Sequence, residues 1–436
     1  MRNRRVAPAV ALAALAACRD ERPPPRPAPP VRVVAKLDTS CLAGATHATG
    51  SLRWFEDAYD DARACAAKLN RPLVVDLWAP WCHTCLSMQH EVFPDPVLAP
   101  LADRFVFVAL DTDREVNAAA VAALPPAAWP TFYVISPDGT VQARLVGAAT
   151  APQFAALLDD GAAGHAAHMA MPDAPAPSPA DVALRQADRA AAEGRLADAV
   201  EAYGQALAAA PADWPRRPDV LVNRIAAMAK LDGGAAACVA FAEGELAGLA
   251  RRSARTDFLV YATMCAEQLA AAEPDRVRAL RVAAATSLAE LADASAAPLS
   301  TDDRSDTLLN LREVQVTLGQ ADAARATAER QRALLDRAAA AAASPRAAMT
   351  YNWPRAEVYA FLGVPLELVP ALEASAAALP DEYDPPHRLA FLYQQAGKPD
   401  LALPWANKAL ALAYGPRKAR IQKLVDELDA AIAKSR

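Results

Sequence analysis

The sequence predicts an α/β domain followed by an all-helical array, and three observations support this fold class. Residues 51–161 alternate short apolar runs with helical periods, which is the pattern of an α/β unit. Residues 181–436 show helical periods throughout and are rich in alanine, which favours helix. Proline-rich stretches at 18–50 and 162–180 are predicted to be linkers between these parts.

Composition and charge narrow the classes of function. The 436-residue chain has a formal net charge of −6 and a pI of about 5.6, and it contains no long basic run. Nucleic acid is therefore not an expected partner. No stretch beyond the N-terminus has the roughly 18 uninterrupted apolar residues that a bilayer span requires, so any attachment to a membrane must come from the N-terminus.

The N-terminus has the layout of an export signal. Three arginines within the first five residues precede a short apolar stretch, Val6 to Ala17, which ends in small residues. The run Leu15-Ala16-Ala17-Cys18 resembles the lipobox of bacterial lipoproteins, in which the chain is cut before a cysteine that carries the lipid. The resemblance implies a signal peptide over residues 1–17 and lipidation of Cys18. The alternative is an ordinary cleaved signal in which Cys18 is incidental.

The lipobox resemblance implies a location. Acyl chains on Cys18 would hold the protein at a membrane, since each buried CH₂ contributes about 0.8 kcal/mol. We therefore expect a lipid-anchored protein on the periplasmic side of a bacterial cell envelope. Arg19 stands where that family usually has its aspartate retention signal, which favours the outer membrane. The proline-rich run from Pro23 to Pro30 is predicted to be an extended stalk.

The elements of the α/β domain follow from residues 51–161. Strands are predicted at short apolar runs, and helices where apolar residues recur on one face. Pro94 and Pro96 are expected to interrupt the second helix, and Pro137-Asp138-Gly139 to form the turn between the last two strands. In chain order the predicted elements are helix 51–70, strand 73–78, helix 82–102, strand 105–110, helix 116–123, strands 131–136 and 141–146, and helix 151–159.

An internal repeat predicts the organisation of residues 181–436. Gly363 and Gly397 are 34 residues apart, each lies between two helical stretches, and 34 is the period of tetratricopeptide helix pairs. The spacing from Gly194 to Gly319 is irregular, so the resemblance is to a tetratricopeptide-like array. Such pairs stack into a superhelix with a concave side, and we expect the array to bind a protein partner.

The strongest motif is Trp81-Cys82-His83-Thr84-Cys85, a Cys-x-x-Cys between a strand and a helix. With Cys82 at the helix N-cap and Cys85 one turn later, their Cα atoms lie within the ~4.4–6.8 Å that a disulfide permits. The positive end of the helix stabilises a thiolate, so Cys82 is the expected nucleophile and Cys85 the resolving thiol. The alternatives are a structural disulfide or half of a zinc site, but no second cysteine pair has zinc-ligand spacing.

The residues around this motif resemble the thioredoxin family. The run from Val74 to Cys82 is similar to the strand and turn that enter the thioredoxin active site. Glu91 to Pro96 and Phe107 to Asp111 look more weakly like the following segments of one branch, the periplasmic C-terminal domain of the DsbD-type disulfide-interchange proteins. The resemblance covers about residues 51–160, and it implies a thioredoxin-like domain with disulfide oxidoreductase activity.

The resemblance assigns roles to three further residues. Asp76 matches the buried acid that assists proton transfer to and from the resolving cysteine, and its apolar strand is expected to raise its pKa. Pro130 matches the cis-proline whose loop faces the cysteine pair and shapes a groove for a substrate strand. Gly147 matches the glycine that lets a partner chain approach closely. The alternatives are a strand-end charge, a plain turn proline and a strand-end glycine.

The motif also departs from the family. His83-Thr84 replaces the Gly-Pro dipeptide of thioredoxins, and Leu86 follows Cys85 where a lysine is usual. His83 could stabilise the thiolate and make the pair more oxidising, or it could be a solvated side chain. The direction of electron flow is therefore left open.

Four cysteines remain besides Cys18 and the two of the motif. Cys41, Cys65, Cys238 and Cys265 allow three pairings. A disulfide between Cys238 and Cys265 fits an oxidising compartment, but buried free thiols are the favoured interpretation.

The predicted function is that of a thiol-disulfide oxidoreductase acting on protein disulfides or thiols, with a membrane partner as electron donor or acceptor. No cofactor and no metal is expected. One alternative is a non-catalytic scaffold or binding lipoprotein in which the helical array is the working part. Another is copper handling, because His165, His168, Met169 and Met171 are copper-ligand types at close spacing.

Overall fold

Six strands form the sheet of the α/β domain. The computed structural model describes residues 38–435 except 173, 175 and 296, so Cys18 and the predicted signal lie outside the described residues. The strands are β1 (His47–Thr49), β2 (Leu52–Glu56), β3 (Leu73–Trp78), β4 (Val106–Asp111), β5 (Thr131–Ile135) and β6 (Val141–Val146). Their spatial order is β1-β2-β4-β3-β5-β6, in which β2, β4 and β3 are parallel and the other pairings are antiparallel.

Helices cover both faces of this sheet because its central strands are apolar on both sides. Alternate residues of a strand face opposite ways, so Val74 and Val75 of β3 enter two separate cores. Asp76 shares the face of Val74 and is the only charged residue of β3. The helices are α1 (Tyr59–Leu69), α2 (His83–Ser87), α3 (Ala118–Ala123) and α4 (Ala151–His168), with a π-helical turn at Met88–Val92 and 3-10 helices at Ser40–Gly44, Pro96–Arg104 and Glu115–Asn117.

The predicted helix over residues 51–70 is wrong in its first part. Leu52–Glu56 is the strand β2, and helix α1 begins only at Tyr59. Trp54 of this segment is buried on the sheet, where aromatic side chains pack well. Pairing with β4 supplies the backbone hydrogen bonds of this segment, so tertiary structure decides its conformation.

Both predicted linkers are shorter than expected. The first, residues 18–50, already contains a 3-10 helix and strand β1, which pairs with β2. In the second, residues 162–180, helix α4 continues to His168 and the next helix begins at Pro179. The helix continues because no proline interrupts it before Pro172 and because Gly161 lets it lie close to Val134, where an added Cβ would come within 2.5 Å.

The remaining described residues form the helical domain, which contains no strand among residues 176–295 and 297–435. The predicted fold class, an α/β domain followed by an all-helical region, is confirmed. The helices are α5 (Pro179–Ala192), α6 (Leu196–Ala209), α7 (Arg217–Ala229), α8 (Ala235–Glu245), α9 (Ser253–Leu269), α10 (Pro274–Asp293), α11 (Thr301–Thr317), α12 (Ala321–Ala341), α13 (Pro345–Met349), α14 (Asn352–Phe361), α15 (Val369–Ala378), α16 (Asp384–Gln395), α17 (Pro399–Leu412) and α18 (Gly415–Ser435).

Glycines at the ends of α5, α11 and α16 allow antiparallel helix pairs. Gly194, Gly319 and Gly397 have φ values of 73°, 75° and 68°, a left-handed conformation that glycine adopts without steric cost. The chain therefore reverses after each of these helices, and α5 packs on α6, α11 on α12 and α16 on α17. The tetratricopeptide-like identity of these pairs stays a prediction.

The helical domain packs directly on the α/β domain, and residues 39–436 form one compact unit. A buried polar network joins them. Asp188 of α5 accepts hydrogen bonds from the backbone N–H of Arg144 at 3.0 Å and from the hydroxyl of Tyr203 at 2.9 Å. Arg216 donates to the carbonyl of Arg144 at 3.0 Å and pairs with Asp160. None of the described helices combines the length and apolar character needed to cross a bilayer.

Disulfides join two pairs of the remaining cysteines. Cys41 is bonded to Cys65 with a Cα–Cα distance of 5.5 Å, and Cys238 to Cys265 with one of 6.1 Å. The interpretation as free thiols, which the sequence favoured, is therefore wrong for both pairs. The sequence could not show that α8 and α9 pack antiparallel with these two side chains in contact. The first disulfide fixes the segment before β1 to α1.

Candidate active site

The cysteine pair lies where β3 leads into α2. Cys82 and Cys85 form a disulfide with a Cα–Cα distance of 5.2 Å, inside the range expected from the sequence. Both side chains are buried, at 5% and 1% exposure, and they pack against Ala79 with Trp78 and Trp81 beside them.

Cys82 is the N-cap residue of α2. Its Sγ accepts a hydrogen bond from the backbone N–H of Cys85 at 3.0 Å. When the disulfide is reduced, the same N–H faces the sulfur of Cys82, and a donor at the start of a helix favours the thiolate. The geometry therefore favours a thiolate at Cys82 over one at Cys85, which lies inside the helix.

Asp76 lies on β3 with 2% exposure, and its Oδ1 has no hydrogen-bond partner among the described residues. Burial raises the pKa of Asp76 to about 8, because a carboxylate loses its hydration there. The side chain therefore carries a proton at neutral pH, which suits a group that exchanges protons with a neighbouring thiol.

A cavity of about 590 Å³ connects Asp76 to other polar side chains. Asp111 and Arg114 line it from the α/β domain, and Glu382 and Tyr414 line it from the helical domain. Tyr414 donates its hydroxyl hydrogen bond to Asp111, so the helical domain closes one side of the cavity. Water in such a polar cavity could carry protons to and from Asp76.

Pro130 follows a cis peptide bond with Trp129, as expected from the resemblance. The carbonyl of Pro130 accepts a hydrogen bond from Gly147 N–H at 2.9 Å, and the Trp129 ring lies 5.2 Å from that of Trp81. These residues form one wall beside the cysteine pair.

The groove predicted for a partner chain is covered by the protein's own helices. A Cβ added at Gly147 would lie 3.3 Å from the Oδ2 of Asp257 on α9. Only a small cavity of about 110 Å³ remains there, with Trp129 and Gly147 on one side and Asp257 and Asp303 on the other. The close approach that Gly147 permits is therefore used by α9.

His83 is neither solvated nor a free cation. Its Nδ1 lies 2.9 Å from Oδ1 of Asp302 on α11, a side chain that is 1% exposed, and its Nε2 lies 3.9 Å from Asp306. Burial alone would lower the pKa of His83, but the carboxylates of Asp302 and Asp306 outweigh it and raise the pKa to about 10. The imidazolium is thus present at neutral pH, with its charge balanced by α11.

His83, Asp302 and Asp306 are also the group of described residues whose ligand atoms could hold a metal ion, since these atoms lie within 4.8 Å of one another. The short contact between His83 and Asp302 accounts for this arrangement as an ion pair. The residues considered for copper are held differently. His165 contacts the hydroxyl of Ser136 at 3.0 Å, and His168 contacts Asp138 at 2.6 Å.

The residues contributed by the helical domain were missed in the sequence. Asp302 lies in the first turn of α11, next to a capping box formed by Ser300 and Asp303, and the sequence signal there indicates only a helix start. Arg417 of α18 lies 4.2 Å above the ring of Trp81. No spacing in the chain could have shown that these residues meet the cysteine pair.

Comparison with known families agrees with this geometry. Residues 59–162 match the family model of a thioredoxin-like domain. The match includes β3 to β6 and the positions of Asp76, Cys82, Cys85 and Pro130, so this part of the chain is a thioredoxin-like domain. No curated protein matches the chain.

Proposed function

We propose that the chain is a thiol-disulfide oxidoreductase whose active pair is Cys82 and Cys85. One observation carries this proposal: the two sulfurs are within bonding distance across the start of a helix, beside a cis-proline and a buried acid. This combination supports reversible opening and closing of the disulfide. A purely structural disulfide needs no such surroundings.

The reaction proceeds in two exchanges. The thiolate of Cys82 attacks one sulfur of a substrate disulfide, forms a mixed disulfide and releases the other substrate sulfur as a thiolate. The thiolate of Cys85 then attacks the Sγ of Cys82, releases the second substrate thiol and closes the disulfide. Two electrons pass from the protein to the substrate, and the reverse sequence oxidises two thiols.

Asp76 serves the second exchange in this proposal. In the oxidative direction, the protonated Asp76 that predominates at neutral pH supplies a proton to the departing Cys85 thiolate. In the reductive direction, the thiol of Cys85 must lose a proton before it attacks, and the minor ionised form of Asp76 is the acceptor. Water in the cavity next to Asp76 then carries that proton to solvent.

The proposed setting is the periplasmic side of a cell envelope, with lipid on Cys18 as the anchor. Two further disulfides in the described residues support an oxidising compartment. The resemblance to DsbD-type domains favours protein disulfides or thiols as substrates and a membrane partner that exchanges electrons with the pair. The helical domain, as a tetratricopeptide-like array, would bind a protein partner.

The reduction potential of the Cys82–Cys85 pair tests this function. Equilibration of the full chain with glutathione redox buffers should give a two-electron transition between about −120 and −270 mV, the range of redox-active pairs. A potential below about −300 mV is that of a structural disulfide and would contradict the proposal.

Two variants assign the two exchange steps to Cys82 and Cys85. Cys85→Ala should accumulate a mixed disulfide at Cys82, visible by mass spectrometry, because the resolving thiol is missing. Cys82→Ala should abolish exchange. The double variant Cys41→Ala/Cys65→Ala is the matched control, since it removes a disulfide of the same domain and should leave exchange unchanged.

A further inference from the structure

Cys82 is reached through a chamber of about 440 Å³ between the two domains. The α/β domain contributes Trp81, Cys82 and Trp129 to its walls, and the helical domain closes the opposite side. Because α9 covers the groove at Gly147, the chamber is an approach to the sulfur of Cys82 that the described residues leave open. A folded protein surface does not fit into such a volume, whereas a small molecule does.

The chamber is positively charged. Arg388 of α16 and Arg417 and Arg420 of α18 line it, and none of its described lining residues is acidic. Arg388 is neutralised by Asp384, whose Oδ1 lies 2.6 Å from its guanidinium. Arg417 and Arg420 form no ion pair within 4.0 Å among the described residues. The carboxylate of Asp113, which accepts a hydrogen bond from the Trp81 indole at 2.8 Å, attracts Arg417 only from further away, so both guanidinium groups stay free to contact a ligand.

Aromatic rings hold two of the three arginines, Arg417 and Arg388, in place. The guanidinium of Arg417 lies 4.2 Å from the Trp81 ring centre, and that of Arg388 lies 4.6 Å from the ring of Trp353. Stacking fixes the planar groups before a ligand arrives, so less conformational entropy is lost on binding. Arginine in this state suits bidentate recognition of carboxylates.

The charge around Cys82 is therefore divided. On the side of α11, Asp302 balances the charge of His83 and leaves no free positive charge, while burial raises the pKa of Asp306. On the side of α18, Arg417 and Arg420 leave two free positive charges. An anionic group next to a substrate sulfur is attracted to the side of α18 and meets no free positive charge on the side of α11, which orients the disulfide in the chamber.

We infer that the substrate exchanged at Cys82 is a low-molecular-weight disulfide or thiol that carries carboxylates, of the class of glutathione disulfide. This rests on the proposed function of the cysteine pair and specifies its substrate. It differs from the protein substrates that the resemblance favours, because the structure leaves a cationic chamber open and closes the protein-binding groove. In the reductive direction, one disulfide takes two electrons from the Cys82 and Cys85 thiols and leaves as two thiols, and an external dithiol restores the pair.

The test compares three disulfides of different charge. The full chain is reduced with dithiothreitol, desalted and mixed with glutathione disulfide (anionic), hydroxyethyl disulfide (neutral) or cystamine (cationic), and the second-order rate constants are measured. Arg417→Gln/Arg420→Gln should lower the rate with glutathione disulfide about 10-fold, leave the neutral disulfide within about 2-fold, and raise or preserve the rate with cystamine. Taking the ratio of variant to unaltered chain for each disulfide removes differences in leaving-group reactivity.

A second variant and a control keep the test sharp. Arg420→Gln alone replaces an exposed side chain, leaves the stack on Trp81 intact and should lower the glutathione disulfide rate about 3-fold. Arg325→Gln removes a surface arginine of α12, whose side chain is 62% exposed, and should change none of the three rates.

The outcomes separate the two proposals. Equal effects of the arginine changes on all three disulfides, or no effect on any, would overturn the anionic substrate and leave the redox function standing. Reduction of the disulfides of insulin as fast as those of the small molecules would also overturn it. If the unaltered chain reacts with none of the three small disulfides and does not reduce insulin either, the redox function itself fails.

Discussion

Asp76 shows how one buried residue couples chemistry to stability. It lies on a central strand without a partner for its Oδ1 among the described residues, and its proton is retained up to a pH of about 8. An unfolded chain loses the same proton near pH 3.9. Between these values the folded state binds one more proton than the unfolded state, so the stability of the protein falls as the pH rises.

The variant Asp76→Asn tests this residue. The asparagine does not titrate, so the variant should gain stability relative to the unaltered chain between pH 5 and pH 9, by a few kcal/mol, on the order that the raised pKa implies. Urea unfolding of both oxidised proteins at the two pH values measures the difference. Asp138→Asn is the control, because the hydrogen bond from His168 lowers the pKa of that exposed carboxyl to about 2. Curves that stay parallel from pH 5 to pH 9 would show that Asp76 is ionised in the folded state.

The same residue shows what a sequence can reveal about a site. Cys82 and Cys85 were found because a Cys-x-x-Cys between a strand and a helix is a local signal, whereas Asp76 was found through the resemblance to thioredoxins. The cis bond before Pro130 was expected only from the resemblance. Arg417 and Asp302 were not found, since nothing local distinguishes them from other charged residues on helices.

At the scale of elements, the contact between α2 and α11 depends on His83 and Asp302. The raised pKa of His83 means that the ion pair stabilises the fold fully below the ordinary histidine value of about 6.5, and that this contribution is lost as the pH rises through about 10. Because the imidazole is partly exposed, at 21%, we expect a modest contribution from the pair.

Asp302→Asn should lower the free energy of unfolding by about 1–3 kcal/mol at pH 7, and the loss should shrink toward pH 10. Urea unfolding across this pH range measures it. A double-mutant cycle with His83→Asn isolates the pair. Additive effects of the two changes at pH 7 would mean that the residues do not interact in solution.

The disulfide between α8 and α9 is a second contact at this scale. It closes a loop with a sequence separation of 27, for which the chain-entropy model gives about 3.6 kcal/mol. Cys238→Ala/Cys265→Ala should lower the free energy of unfolding by that amount and leave the reduction potential of the Cys82 pair unchanged. Urea unfolding and glutathione equilibration measure the two quantities. A shifted potential would show that α9 tunes the site through its contact with Gly147.

The elements also differ in how well the sequence predicted them. Strands β3 and β4 and the hairpin of β5 and β6 were placed to within a residue or two, because apolar runs and a Pro-Asp-Gly turn are local signals. Strand β2 was mistaken for helix, since its pairing with β4 is a contact between distant segments. The end of α4 was misplaced because packing at Gly161 outweighs the low helix propensity of glycine.

For the whole molecule, the arrangement of the domains restricts which molecules reach the cysteine pair. Cys82 is 5% exposed and opens into the chamber. In the reduced protein, iodoacetamide should modify Cys82 readily. A maleimide attached to a bulky polymer should react with Cys82 at least about 10-fold more slowly than it reacts with free glutathione. Mass spectrometry of peptides containing Cys82 follows both reactions. Urea should abolish the difference, and a difference already absent in the native state would mean that the helical domain does not cover the site.

The chamber is completed by segments that are synthesised long after the two cysteines. Arg417 of α18 lines the chamber and lies 4.2 Å from the ring of Trp81, which comes far earlier in the sequence. Ribosomes deliver the thioredoxin-like domain first, so during synthesis the dithiol exists for a time without its cover. If the cysteine pair reacts as proposed, its selectivity by charge and size is acquired only when the last helix docks, and a chain clipped before α18 should also reduce the disulfides of proteins.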